Sequence, residues 1–436
     1  MKEKDCDLGV DEVTDLLART QVFTPSDLAT FMANLLRVQS EDIPPIDLLE
    51  PSAGAGALAE AVLEVAARSP TVTLVERDHT LAAHLTEFCD AHGAELGESS
   101  SVLVQDFFEI APEWIKSGRR FSHIVMNPPY ARIAPGSNTA QLLGKHGVHA
   151  HNLFAAFIWL ATDLLDDGGR LVAIVPRSFL SGLHYAATRR HLFEKAGLYA
   201  LHHFTDRRAV FARDGIQQEV IIFGAIRAPA PAQIQFSQSA SLIDAYEPTP
   251  LPTARLVLPE SERHVVLVPD LGNPVSSAGP TAPLLPEGIV VSVGSVVDFR
   301  MKGDLVARSE GDIPLIGAEA FYTRDVSLRG LRANSRTAPH VYPPGRYVVV
   351  RRISPAEARP RIQAKLIQAF GSGFERGVAF ENHLLVFHAH RTGIDESTCT
   401  VLLKRLSHAR TEQQFMERGG TTQVNVGDIR SLRYAN

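Results

Sequence analysis

Cysteine is scarce in this chain of 436 residues: Cys6, Cys89 and Cys399 lie far apart and form no CxxC pair. That spacing argues against a structural zinc or a disulfide framework and fits a reducing cytoplasm. No run of about 18 apolar residues occurs, so no membrane span is expected. The N-terminal stretch MKEKDCDLGVDEVTDLL is charged and lacks the apolar core of a secretion signal. No internal repeat is visible, and no GK[ST] follows the glycines at 54–56, which disfavours a phosphate loop. An overall excess of basic charge is missing too, since the formal net charge is −6.

That total hides an asymmetry. Residues 1–230 hold 20 Lys/Arg against 29 Asp/Glu, a net of −9. Residues 231–320 hold 5 against 11, a net of −6, and residues 321–436 hold 18 against 9, a net of +9. A basic module on an acidic protein points to a polyanionic partner.

From residue 46 to 226 short apolar runs alternate with helical stretches. IDLLE, TVTLVE, SVLVQD, HIVMNPPY, GRLVAIVP, LHHF and EVIIFGAI read as strands. Residues 58–68, 80–92, 152–165 and 187–196 read as helices. This alternation predicts a doubly wound α/β sheet with a largely parallel core, whose ligands sit at the carboxyl ends of the strands. Residues 228–288 are rich in Pro, Ala and Ser, which favours extended linker conformations. The expected division is a catalytic domain at 1–235, a Pro-rich linker at 236–290 and a mixed α+β domain at 291–436. The last part holds IVVSVGSVVDF, YVVVRRI and ENHLLVFHAH as β pieces and a helix near 399–417.

The sharpest motif is Asn127-Pro128-Pro129-Tyr130 at the end of an apolar strand. Prolines fix φ and donate no hydrogen bond, so this step holds its carbonyls in a set direction. An Asn oxygen beside such a carbonyl makes a pair of acceptors suited to an NH₂ group, and Tyr130 offers a flat face to a planar heteroaromatic. Two acceptors pulling on an aromatic amine push its nitrogen toward a tetrahedral, nucleophilic state. The second motif, Glu50-Pro51-Ser52-Ala53-Gly54-Ala55-Gly56, opens a helix after a strand, and its glycines let backbone approach a ligand. Glu76 closes the next strand, where a carboxylate can take both ribose hydroxyls. Asp106 and Phe107 form an acceptor-plus-apolar pair suited to an adenine ring. Each carboxylate taken alone would serve equally as a helix cap.

With Phe23-Thr24-Pro25 ahead of the glycine turn, the order of these motifs resembles the gamma group of amino-methyltransferases on the class I fold. The segments QVFTPSDLATFMANLL, HNLFAAFIWLATDLLDDGGRLVAIVPRSF, YVVVRRIS, FENHLLVF and GGTTQVNVGDIRSLRY are similar to the PstI/BsuBI-type modification methyltransferases of type II restriction–modification systems. The likeness runs from about residue 20 onward and is weakest in the Pro-rich middle. It implies a class I (Rossmann-like) S-adenosylmethionine-dependent methyltransferase fold with a C-terminal target-recognition domain. The activity it implies is methyl transfer to N6 of an adenine flipped out of double-stranded DNA, within a palindrome such as CTGCAG. It also implies a cognate restriction endonuclease as genetic partner, a monomer, and no metal.

By position, the resemblance gives Phe23, Thr24, Pro25 and the backbone from Glu50 through Pro51, Ser52, Ala53 and Gly54 to Gly56 to the methionine part of the cofactor. Glu76 would hold the ribose, Asp106 the cofactor adenine's amine and Phe107 its ring. Asn127 and the Pro128 carbonyl would hold the target amine, Tyr130 would stack on the base, and Phe211 would close on its edge. Arg351, Arg352, Asn382, His383, Thr422, Gln423 and Asn425 are the expected DNA contacts, and Arg361, Arg405 and Arg410 add to the basic module. His146, His149 and His151 lack a completing carboxylate or Cys and read as a loop near DNA. His383, His388 and His390 read as strand residues.

Two other readings compete. A protein glutamine N5-methyltransferase also uses Asn-Pro-Pro-Tyr, but it carries a helical domain before the glycine turn, where this chain has about 45 residues. A DNA-binding regulator on an inactive fold is disfavoured because no catalytic position is lost.

Overall fold

The computed structural model describes residues 24–41, 44–206, 219–241, 247–258, 264–269, 281–323, 329–355, 358–419 and 423–435. The chain forms two compact units, Met1–Leu267 and Val268–Asn436.

The first unit is built on nine strands: β1 (Asp47–Glu50), β2 (Thr71–Glu76), β3 (Ser101–Val104), β4 (Phe121–Met126), β5 (Leu165–Pro176), β6 (Gly197–Phe204), β7 (Val220–Ile226), β8 (Gln233–Ser239) and β9 (Thr249–Pro252). Their order is β3-β2-β1-β4-β5-β7-β6-β8-β9. The strands from β3 to β5 pair parallel, whereas β7 runs antiparallel to both β5 and β6. The first seven positions of that order, with the seventh strand reversed, are the class I methyltransferase arrangement the motifs led us to expect. The central strands are apolar and buried because helices cover both faces of a parallel sheet.

The helices that matter for the site are α1 (Ser26–Leu35), α2 (Ala57–Val65), α3 (His79–Ala91), α4 (Phe107–Ser117), α5 (Asn138–Lys145), α6 (Leu153–Leu164) and α7 (Ala186–Lys195). Three of them start at a residue whose side chain serves as cap. The Asp78 carboxylate accepts from Thr80 and Leu81 at α3, Asp106 from Phe108 at α4, and Ser137 from Ala140 at α5. Helix α6 carries apolar residues nearly all round and is buried nearly all round. Helix α1 packs on α2, so the segment before the glycine turn is brought back over it.

The sheet continues past residue 235, inside the stretch expected to be linker. Strand β8 pairs parallel with β6 and β9 pairs antiparallel with β8. Local composition signalled loop because Pro and Ala are common there, but pairing with a distant strand satisfies the backbone and overrides that preference.

A buried polar cluster joins β5, β6 and β7. Arg177 and His203 both donate to the Glu219 carboxylate, His203 at 3.0 Å, and the Gln238 amide meets the other nitrogen of His203 at 3.2 Å. Burial pushes the Glu219 carboxyl up, yet the His203 hydrogen bond and the Arg177 charge outweigh it and hold it at about 2. Burial holds His203 below the usual imidazole range. Glu219 is therefore a depressed carboxylate. Its contribution to stability is complete above about 4.5, the ordinary value, and is lost as pH falls toward about 2. Glu219→Gln is expected to flatten that part of the acid dependence of the urea midpoint. An unchanged slope between about pH 5 and pH 3 would remove Glu219 from the acid-sensitive set.

In the second unit, Val290–Val293, Leu384–His388, Gly345–Arg351 and Ala364–Ala369 form an antiparallel four-stranded sheet in that order. A five-stranded sheet runs Leu305–Ala307, Arg329–Leu331, Ile313–Ile316, Val378–Phe380 and Val341–Tyr342. The helix expected near 399–417 is two, Glu396–Leu406 and Ala409–Glu417, because His408 adopts extended backbone and caps the second through Arg410. His388 lies on a strand as expected. His383 sits in the turn before it, and His390 in a turn at φ 48°.

Candidate active site

The glycine turn leaves β1 and enters α2. Gly54 and Gly56 stand at φ +55° and +83°, a region closed to most side chains, and nothing lies within 4 Å of where a Cβ on Gly54 would be. The turn is pinned to β2 by Ala53 N donating to the Val75 carbonyl at 3.0 Å and Gly54 N donating to Glu76 Oε2 at 2.9 Å. The other oxygen of Glu76 accepts from Asp78 N at 3.0 Å. Each carboxylate oxygen keeps a second lone pair for a ligand hydroxyl.

Glu50 has a different use. Its carboxylate is 2% exposed and accepts from Ala59 N at 3.0 Å. It thereby caps α2, whose N-cap Gly56 has no side chain. Burial, and then the nearby Glu76 charge, push the Glu50 carboxyl well above the usual range. Ser52 Oγ is buried in the same turn and has no hydrogen-bond partner. A turn with an open glycine, an unpartnered buried hydroxyl and a carboxylate with spare lone pairs fits a ligand bearing ribose hydroxyls and a charged amino-acid end. Gly56→Ala would place a methyl 2.8 Å from Leu85 Cδ2 at left-handed φ. The expected cost is about 1–3 kcal/mol of unfolding free energy, read from urea melts.

Asn127 follows β4, and its Nδ2 donates to Thr24 Oγ1 at 3.2 Å across 103 positions. Pinning the amide nitrogen in this way leaves Oδ1 directed elsewhere. Among the described residues nothing donates to Asn127 Oδ1 or to the Pro128 carbonyl. Tyr130 is braced on both sides: its hydroxyl donates to the Ile174 carbonyl on β5 at 3.3 Å, and its ring meets Phe154 edge-on at 5.9 Å. Burial pushes its phenol far above the usual range, so it stays neutral.

Sequence reasoning missed Asn152, whose Nδ2 donates to the Tyr130 carbonyl at 3.4 Å while its Oδ1 accepts from Tyr185 at 3.5 Å. An Asn just before the apolar run of α6 was the available signal.

Asp106 Oδ1 is taken by Phe108 N at 2.8 Å, which leaves Oδ2 for a ligand amine. Phe107 departs from expectation. Its ring is 2% exposed and stacks on Phe157 at 5.1 Å, so α4 spends it in the core against α6 and offers no face to an adenine. The three loop histidines do not converge: His149 packs edge-on with Trp159 and His151 with His184. Among the described residues no group of His, Cys, Asp and Glu could hold a metal, and no helix is long and apolar enough to cross a membrane. Phe23, Phe211 and Thr422 lie outside the described residues.

The chain is 31% identical over 442 residues to the type II methyltransferase M.BsuBI of Bacillus subtilis, covering 95% of this chain and 87% of that protein. It belongs to the type II methyltransferase family. The methyltransferase is also 28% identical to the type II methyltransferase M.PstI of Providencia stuartii, over 95% of this chain and 86% of that one. Its residues 73–211 match the Eco57I restriction-modification methylase family. A cryo-EM structure of a DrdV–DNA complex shares the fold with a TM-score of 0.52 and 11% identity, over 84% of this chain and 48% of that one.

In the second unit of the methyltransferase, five of the expected DNA contacts converge. Arg352 donates to the Asn382 carbonyl at 3.2 Å and to Asn425 Oδ1 at 3.5 Å. With the Gln423 amide oriented to satisfy both its atoms, Arg352 Nη2 and Nε donate to Gln423 Oε1 at 2.6 and 3.1 Å. The backbone of Arg352 also bonds to His383 and Val424. His383 leans on Glu381 through Nδ1 at 2.8 Å and is otherwise half exposed. Asn425 doubles as the cap of the Val426–Ser431 helix. Arg351 lies 4.8 Å over the ring of Tyr322, itself 67% exposed. Arg361 and Arg405 are committed to structure, donating to the carbonyls of Pro355 and of Pro283 and Leu284.

Proposed function

We propose that this methyltransferase moves the methyl group of S-adenosylmethionine to the N6 amine of an adenine flipped out of duplex DNA, as the modification enzyme of a type II restriction–modification system. The observation that carries the reading is the Thr24–Asn127 hydrogen bond. It pins the Asn127 amide nitrogen, and neither Asn127 Oδ1 nor the Pro128 carbonyl after β4 accepts a hydrogen bond among the described residues, which supports reading them as a pair of acceptors.

S-adenosylmethionine, when bound, supplies an activated methyl on a sulfonium. Ser52, the open backbone at Gly54 and the Glu76 carboxylate would hold that cofactor, with Asp106 Oδ2 toward its adenine amine. Phe107 has no part in this reading. Asn127 Oδ1 and the Pro128 carbonyl would each accept one hydrogen of the target amine, drawing its lone pair out of conjugation. The braced ring of Tyr130 would stack on the base, compensating part of the few kcal/mol that unstacking costs. No tuned general base is needed, because the amine nitrogen attacks before its proton leaves. Arg351, Arg352, Asn382, His383, Gln423 and Asn425 are proposed to face DNA, and a site such as CTGCAG, a cognate endonuclease and a monomeric enzyme complete the proposal.

Incubation with tritiated S-adenosylmethionine and plasmid, followed by nucleoside digestion, tests it. The label is expected in N6-methyladenine. Label in cytosine, or in protein alone, would overturn the adenine assignment.

A further inference from the structure

A cavity of about 320 Å³ opens in the second unit, lined by Ser295, Val297, Arg300, Met301, Arg336 and His340. Three of its six lining residues are basic or imidazole side chains, and two carry buried polar atoms with no partner, Ser295 Oγ and His340 Nδ1. An unmatched buried polar atom costs about 1–3 kcal/mol, so two beside one cavity mark a place that a ligand completes. Both can be donors: a hydroxyl rotates freely, and an imidazole nitrogen carries a proton in one tautomer. The neighbouring carboxylates each have a partner, although Asp298 Oδ1 is buried without one. Asp304 accepts from the Asn334 amide at 2.6 Å and lies 3.7 Å from Arg336, and Asp298 accepts from Arg329 at 2.7 Å. Arg336 donates to the Arg300 carbonyl, which ties the two cationic residues to one corner. Among the described residues no carboxylate pairs with Arg300, whose guanidinium lies 5.5 Å over the exposed ring of Phe299. The chemistry is that of a site for an oxyanion: two guanidinium groups, a hydroxyl and an imidazole.

The place of this cavity in the fold says which oxyanion. Its wall segment at residues 295–297 bridges directly to the segment that carries two of the proposed DNA contacts. Val296 bridges to Glu381, and Asn382 N donates to the Val296 carbonyl at 2.9 Å. Below it, Arg329 joins Asp298 to Glu381, and Glu381 in turn holds His383. A group bound in the cavity is thus fixed relative to Asn382 and His383 by backbone pairing and an ion network anchored on the buried Glu381. Contacts to phosphate set the register from which side chains read base edges.

We propose that this cavity binds a phosphate of the DNA backbone beside the base-reading turn, with Arg300, Arg336, Ser295 and His340 as its donors. The inference rests on the DNA-methylating reading above.

Fluorescence anisotropy with the full chain, on cognate and random duplexes over a salt series, provides the test. Arg300→Gln with Arg336→Gln is expected to weaken binding about tenfold on both duplexes alike. The slope of log K against log salt should flatten by about one unit, the signature of one lost phosphate contact. Ser295→Ala, a smaller change, should weaken both duplexes in the same direction with its thermal midpoint kept. Duplexes carrying a single neutral methylphosphonate, scanned across the site, should reveal one position that weakens the wild type and leaves the double variant unaffected. An unchanged slope, or a loss confined to the cognate duplex, would overturn the proposal. So would competition by inorganic phosphate with no sensitive methylphosphonate position, which would mark a site for a free anion. The tritium assay stands apart: wild type that methylates plasmid while slope and scan show nothing leaves the methylation reading intact and removes the phosphate site.

Discussion

Asn127→Ala is expected to lower kcat for methyl transfer by about 10²–10³, the range seen when one preorganised electrostatic partner of a transition state is removed. The substitution deletes one of the two acceptors at the tip of β4 and leaves Thr24 Oγ1 without its donor. In the proposed mechanism the Pro128 carbonyl alone would then have to draw out the lone pair of the target nitrogen. Because the lost interaction strengthens as the nitrogen becomes tetrahedral, the effect belongs in kcat, with DNA affinity changed much less. Single-turnover methylation with saturating cofactor and duplex measures it. Wild-type turnover in this variant would sink the acceptor-pair mechanism. Thr24→Val supplies a graded comparison, since it keeps Oδ1 but frees the amide to rotate, and an intermediate loss is expected from it.

Glu76→Gln carries the second large effect, on the cofactor. The native carboxylate accepts from Gly54 N and Asp78 N at 2.9 and 3.0 Å, and so holds the glycine turn against β2 while keeping lone pairs for a ribose. An amide retains one acceptor and turns the other into a donor facing a backbone N–H. Charge-assisted hydrogen bonds contribute about 1.5–3 kcal/mol each, so the dissociation constant for S-adenosylmethionine is expected to rise about 10- to 100-fold. Calorimetric titration of the cofactor without DNA isolates this term. An unchanged constant would show that the ribose is held elsewhere. Glu50 should respond in the same variant: with the Glu76 charge gone, its carboxyl is expected to move back toward the ordinary range.

The first unit was legible over most of its length because its signals are local. The tetrad 127–130 follows the apolar strand Phe121–Met126, and Glu76 closes Thr71–Glu76, as the pattern indicated. Helix α6, expected at 152–165, spans Leu153–Leu164. Less of the site itself could be read. Asp106 followed by Phe107 suggested an adenine contact, yet the helical turn begun by Asp106 carries Phe107 inward onto Phe157. Asn152 drew notice only as a helix start, while its amide supports the backbone of Tyr130. In the basic module, counting arginines could not separate Arg361, buried at 1% exposure, from Arg351, which lies over an exposed tyrosine.

Strand ends, the glycine turn and the rigid proline step follow from steric preferences of neighbouring residues, and any chain with this order of motifs carries them. Three-dimensional packing alone decided that Thr24 meets Asn127, that β8 and β9 extend the sheet through a Pro-rich stretch, and that Arg329 links Asp298 to Glu381. Each of these joins residues far apart in the chain, where pairing register and burial, rather than local conformational preference, set the energy.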